Sequence, residues 1–273
     1  MCDFCVKHGN GGKWYENVEN YARKMYRIRR EGSGLQMGDV QNIIESILDE
    51  AIEARGLSDP KNYEEVKARV ESMILPAHFG QVVTLDEVEK ILDIAYPIAR
   101  ITCICRRRSR GIKDEENFFC VGIGVGMYKW EKWPENYRGG IHFMGPKEAK
   151  EWIREVNKKG AVHTFWVFGT PYIGGICNCE YPSCIGMRMR LDYDVKLLMK
   201  GEKVAQIEYE KCNGCGICLR RCQFGAITYE VALDRVSINQ KKCFGCGLCA
   251  TACKPSAIVM KERVNMPGLS REW

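Results

Sequence analysis

Over much of the first hundred positions apolar residues recur at intervals of three and four, the period of an amphipathic helix. The pattern predicts helices over Trp14 to Arg30 and Val40 to Ala54, and a third from Tyr63 to Ile74 closed by Pro76. A fourth opens at the capping box Thr84-Leu85-Asp86-Glu87 and runs to about Ala95. From Ile101 the texture changes to β-branched and apolar runs, Phe118 to Val125 and Ala161 to Phe168. One helix lies between them, with Pro146 in its favoured first turn and Gly160 past its end. The stretch from Leu191 to Lys203 is charged and reads as a linker, and the tail after Met260 has no periodicity and reads as an extended strap or a partner-contact segment. The predicted fold class is α+β, with a helical N-terminal region over 1–100 and a small cysteine-rich α+β domain over 101–200. A third domain carrying repeated cysteine runs follows over 201–262, and a tail over 263–273.

No stretch of the 273 residues reaches the eighteen or so apolar positions that cross a bilayer, and the opening MCDFCVKHGN lacks a signal-peptide core. Membrane insertion and secretion are therefore not expected, and a cytoplasmic location is. The helical pairs followed by Arg106, Arg107 and Arg108 invite a helix-turn-helix reading, but such features are ordinary on solvated surfaces and no nucleic-acid partner is expected. The run Gly122 to Gly126 lacks the third glycine of a dinucleotide loop and reads as a plain turn. No Ser-His-Asp arrangement, HExxH motif or phosphate loop is present, which argues against hydrolase and NTPase chemistry.

The sixteen cysteines change the picture most. Disulfide scaffolds are short and secreted, whereas this chain is long and groups its cysteines in CxxC and CxC motifs, so metal ligation is the better account. One repeat stands out: Cys212-Asn213-Gly214-Cys215-Gly216-Ile217-Cys218 recurs as Cys243-Phe244-Gly245-Cys246-Gly247-Leu248-Cys249. Each copy adds a fourth cysteine, Cys222 or Cys253. The C-x2-C-x2-C-x3-C spacing presents three thiolates to three corners of an iron–sulfur cube, while glycines let the backbone approach the sulfurs. Zinc sites use separated knuckles instead of four cysteines in one run. Two clusters of about −2 each would lower the formal charge of +6 to about +2, so the basic excess is partly internal counter-charge.

Eight cysteines remain. Cys103-Ile104-Cys105 with Cys120 echoes Cys177-Asn178-Cys179 with Cys184. In an extended segment a CxC puts both side chains on one face, where they can chelate one centre. The two CxC segments, with Cys184 as an extra ligand, are expected to hold at least one further iron–sulfur cluster, while Cys120 in its apolar run reads as a small buried hydrophobe. Cys2 and Cys5 are expected to bind zinc or a further cluster, or to cap the middle-domain site. Arg106 could neutralise a cluster, and His142 and His163 could be ligands or proton carriers.

The repeat resembles the bacterial two-cluster ferredoxins, in which the fourth cysteine of each run ligates the other cluster. By that resemblance one [4Fe–4S] cluster takes Cys212, Cys215, Cys218 and Cys253, and the other Cys243, Cys246, Cys249 and Cys222. The family usually has proline after the fourth cysteine, where this chain has Gln223 and Lys254. Over most of its length the chain also looks like a poorly characterised family of ferredoxin-related proteins from anaerobes. The residues that carry this are His78-Phe79-Gly80-Gln81-Val82-Val83, Cys103 to Arg106, Lys147-Glu148-Ala149, Ala161-Val162-His163 and Ile176 to Cys179. These resemblances imply an electron-relay subunit of an anaerobic oxidoreductase, non-catalytic itself, whose partner is a redox protein or the catalytic subunit. The alternatives are a redox enzyme with a substrate-binding cluster in the middle domain, and an iron–sulfur sensor or maturation factor.

Overall fold

A computed structural model of the chain describes residues 3–21, 46, 50, 53, 60–74, 80–111, 118–127, 140–167 and 173–273. At its centre is a seven-stranded sheet in the order β4-β2-β3-β6-β5-β1-β7. In chain order the strands are β1 (Gly80–Val82), β2 (Ile98–Thr102), β3 (Phe118–Ile123), β4 (Ile141–Met144), β5 (Val162–Trp166), β6 (Gly175–Cys179) and β7 (Leu198–Met199). Only the β1/β7 pair is parallel.

The register sorts the side chains onto two faces, because successive strand residues point to opposite sides. Cys120 lies opposite Cys177, Thr164 opposite Cys177, and Val162 opposite Cys179. This face therefore carries cysteines. The other bears Ile98, Val121, Phe165 and Ile176, all buried beneath two helices, Leu85–Ile94 and Pro146–Lys158. The first is held at its start by Thr84 and Glu87, whose carboxylate accepts from both the amide and the hydroxyl of Thr84 at 2.9 and 3.0 Å. The N-terminal segment closes the same face: Trp14 meets Phe165 edge-on at 5.1 Å, and the Tyr15 hydroxyl donates to the buried Glu87 carboxylate at 3.1 Å.

Downstream, Lys203–Ile207 (β8) pairs antiparallel with Ile258–Glu262 (β11), and Ile227–Glu230 (β9) with Arg235–Ile238 (β10). The two short helices between them, Ile217–Arg221 and Leu248–Ala252, each begin inside a cysteine run and carry its third cysteine. This module docks on the cysteine face through Phe224 and Phe244, which share a core with Val82, Trp166, Cys179, Cys184 and Met187. Gln223, in the family's proline position, donates to the Gly160 carbonyl at 2.6 Å and accepts from the Tyr181 amide at 2.7 Å. Proline could make neither bond, so this departure fastens the module to the sheet.

Several expectations need correction. The boundary expected at residue 100 falls inside β2, and the sheet already begins at Gly80. Much of the expected linker is built into the fold, since β7 joins the sheet and Val195, Leu197 and Leu198 are buried. The helix expected from Trp14 begins instead as two 3₁₀ turns, Trp14–Glu16 and Val18–Asn20. Its remainder, and the helix expected over Val40 to Ala54 apart from residues 46, 50 and 53, lie outside the described residues. The helix expected from Tyr63 is present as Pro60–Ile74. The tail packs back, with Arg263 and Leu269 buried and the Trp273 carbonyl accepting from Arg190 at 3.2 Å.

Candidate metal centres

Two cavities lie in the C-terminal module, one beside each short helix. The outer cavity is lined by Cys212, Cys215, Cys218 and Cys253 together with Val236 and Ile258. The inner cavity is lined by Cys222, Cys243, Cys246 and Cys249 together with Phe224, Phe244 and Ile238. Each thus gathers three cysteines of one run and the fourth of the other. Backbone amides point at the sulfurs: Ala226 donates to Cys222 and Ala257 to Cys253, both at 3.3 Å, and Ala205 donates to Cys243 at 3.4 Å. Such bonds favour the thiolate, while burial opposes it. Burial pushes the Cys246 thiol up to about 12, and Cys249 and Cys243 upward as well. The cysteine residues of the outer cavity are mixed, Cys218 buried and Cys215 exposed.

A second assembly occupies the cysteine face of the sheet. Cys177 and Cys179 alternate along β6, and Cys120 of β3 is the direct cross-strand neighbour of Cys177, their sulfurs 3.8 Å apart. Cys179 and Cys184 lie 3.2 Å apart. Cys103 caps the helix Ile104–Arg110, its sulfur accepting from the Arg106 amide at 3.5 Å, and Cys184 caps the helix Ile185–Leu191. Hydrogen bonds from Cys105 and then Cys120 pull Cys103 well below the ordinary thiol range, and bonds from Cys120 and then Cys179 lower Cys177. The same bonds, with burial, push Cys105 and Cys120 well above it.

The structure therefore brings together the five middle-domain cysteines singled out from sequence and adds Cys120, which the apolar run had disguised as core. It also corrects one geometric expectation. The CxC at Cys177 and Cys179 is extended, but the one at Cys103 and Cys105 straddles a helix start, so its two sulfurs are placed by a turn. Cys5 lies apart from this group, buried, with its thiol donating to Glu202 at 3.2 Å, and Cys2 lies outside the described residues. His163 is buried on the opposite face of the sheet, its ring nitrogens engaged by Asn157 at 2.9 Å and Asn178 at 2.6 Å. Burial lowers its pKa to about 4. His142 sits exposed on the edge strand against Glu148.

Among the described residues no helix is long and apolar enough to cross a membrane. No curated protein matches the chain. Residues 211–257, which hold both cysteine runs, match the family model of the 4Fe-4S dicluster domain. The C-terminal part of this chain is an iron–sulfur, ferredoxin-like module of the electron-transfer kind.

Proposed function

We propose that the chain passes single electrons between redox partners through two [4Fe–4S] clusters, as the electron-relay subunit of an oxidoreductase complex. The observation that carries this reading is the exchange of fourth cysteines between the two cavities. On this reading Cys212, Cys215, Cys218 and Cys253 hold the outer cluster, and Cys222, Cys243, Cys246 and Cys249 the inner one. A bound cluster supplies a site for one electron, at a potential set by hydrogen bonds to sulfur, net charge and solvent exposure. The chain's part is to set those terms. Ala205, Ala226 and Ala257 supply amide donors, and the ring stack of Phe224 on Phe244, 4.2 Å between centroids, keeps water from the inner site. The packed helices Ile217–Arg221 and Leu248–Ala252 hold the two sites side by side. A redox protein or catalytic subunit would meet the outer end, where Tyr209, Leu219, Val231 and Leu233 are exposed.

The test is metal analysis with EPR on anaerobically purified chain. The clusters of this module are expected to contribute about eight irons with matching acid-labile sulfide, and reduction should give two mutually broadened signals. Cys253→Ala should abolish the solvent-accessible cluster, the one first attacked by an external chelator, and leave a single unbroadened signal. Loss of the protected cluster instead would overturn the ligand sets, and absence of reducible iron would overturn the reading.

A further inference from the structure

Six thiols drawn from four separate stretches of the chain close into one circuit on the sheet. Cys103 contacts Cys105 and Cys120, Cys105 contacts Cys184, Cys184 contacts Cys179, Cys179 contacts Cys177, and Cys177 contacts Cys120. Three of them, Cys120, Cys177 and Cys179, stand on strands, and the other three enter from helix starts and the loop before them. Apolar filling accounts for a cysteine or two in a core, not for a closed circuit of six in which every sulfur meets two others. Thiol–disulfide exchange needs an approachable sulfur, yet Cys103, Cys179 and Cys184 are buried and none of the six is in a disulfide.

Metal ligation remains, and the geometry indicates what kind. Among the described residues no three cysteine, histidine or carboxylate side chains converge on a point suited to one metal ion. The two cavities within the 4Fe-4S dicluster match give the same negative, so it does not count against a polynuclear centre here, and six thiols in one circuit exceed the four ligands that a zinc takes. The charge around the circuit agrees. Arg106 lies 3.7 Å over Phe119, a member of the same packed group as Cys103, Cys105 and Cys120, and pairs with Glu180 at 3.3 Å. Its Nε and Nη1 are buried with no hydrogen-bond partner among the described residues, as suits donors to sulfur of an anionic centre.

We propose that Cys103, Cys105, Cys120, Cys177, Cys179 and Cys184 bind a third iron–sulfur centre that exchanges electrons with the inner ferredoxin site. Cys179 and Cys184 share one packed core with Phe224, Phe244 and Cys246, and Cys177 and Cys222 pack against it, so protein fills the space between the two sites. One electron leaves one centre as the other gains it, and no bond to the chain forms or breaks. The exchange, though not the binding, rests on the electron-transfer reading above.

The experiment is iron, sulfide and zinc content with Mössbauer spectra on anaerobically purified full chain, beside Cys177→Ala/Cys179→Ala and Cys120→Ala variants. The wild type is expected to hold about twelve irons or more. The double variant should lose about four or more while keeping both ferredoxin EPR signals, which also shows that it has folded. Cys120→Ala should alter the third Mössbauer component and leave the other two unchanged. About eight irons in the wild type, or zinc in place of the missing iron, would overturn the third centre while leaving the ferredoxin reading intact. Should the double variant not fold, the wild-type iron count and Mössbauer spectrum decide alone. A third centre that stays oxidised when the inner one is reduced at matched potential would overturn the exchange.

Discussion

The two cysteine runs share a sequence pattern and a loop shape, and differ in what surrounds them. In both, a glycine takes up a left-handed backbone, Gly214 at φ +68° and Gly245 at φ +79°. A Cβ there would collide with the Asp234 and Lys203 carbonyls respectively, so glycine is required twice over. Past that point the copies diverge. The residue after the first cysteine is Asn213 in the outer run, exposed, and Phe244 in the inner run, buried and stacked on Phe224. Cys215 is exposed, while its counterpart Cys246 is buried and its thiol is pushed up to about 12. The repeat thus dictates where the thiolates go, whereas the neighbours dictate access and charge. On the reading proposed above, the outer site exchanges electrons with a partner and the inner one with the sheet behind it.

The sharpest way to break this comparison is to truncate the one matched position that differs most. Phe244→Ala is expected to cost about 3–5 kcal/mol, the range for a buried aromatic, because it empties the core shared by module and sheet. The matched Asn213→Ala, on the surface, should stay within about 0.5 kcal/mol. Denaturant unfolding followed at the cluster absorbance measures both. Similar costs for the two would show that the inner site is no more part of the sheet's core than the outer.

Acid should separate the sites next. His163 is held neutral by burial, with a folded pKa near 4 against an ordinary value of 6.5. Above pH 6.5 both folded and unfolded states carry it neutral and its contribution is fully present. Between pH 6.5 and 4 the unfolded chain binds a proton that the folded one refuses, so stability falls by up to roughly 3 kcal/mol. The loss lies in the sheet, so the inner cluster is expected to bleach before the outer as pH falls. His163→Gln should flatten the dependence of the melting temperature over that window. An unchanged slope in the variant would remove His163 from the account.

What was legible in the sequence was local. The cysteine runs announce themselves because one loop supplies three thiolates, and the helices at Leu85 and Pro146 carry their own caps. The sheet's edges were not legible: β1 has three residues and β7 two, too short for alternation to register, so the region before residue 100 read as purely helical and the stretch holding β7 as a linker. Cys120 was missed for a different reason. In Phe118-Phe119-Cys120-Val121 it looks like any strand residue, and only the pairing of β3 with β6, more than fifty residues away, sets it against Cys177. The helix start at Ile104 was hidden too, because a CxC motif reads as extended unless a cap is suspected.

The smallest effect concerns charge alone. Arg263 is fully buried beside the inner site, its Nε donating to the Gly201 carbonyl at 3.0 Å and its Nη2 to the Cys243 carbonyl at 2.9 Å and the Lys203 carbonyl at 3.3 Å. Burial lowers its pKa, but a guanidinium stays charged at any ordinary pH. A fixed positive charge favours the reduced, more negative state of a neighbouring cluster. Arg263→Gln keeps amide donors for the carbonyls and removes that charge, so the midpoint potential of the inner cluster should fall. With an effective dielectric near 20, a unit charge roughly 10 Å away contributes on the order of 1–2 kcal/mol, or tens of millivolts. The outer cluster, across the packed helices and closer to solvent, should shift far less because water screens it. Potentiometric titration followed by EPR resolves the two. A fall in the inner potential alone would make the buried arginine one source of the asymmetry between two sites of the same sequence pattern, and equal shifts in both would mean that the charge is felt through the whole module rather than at the site it touches.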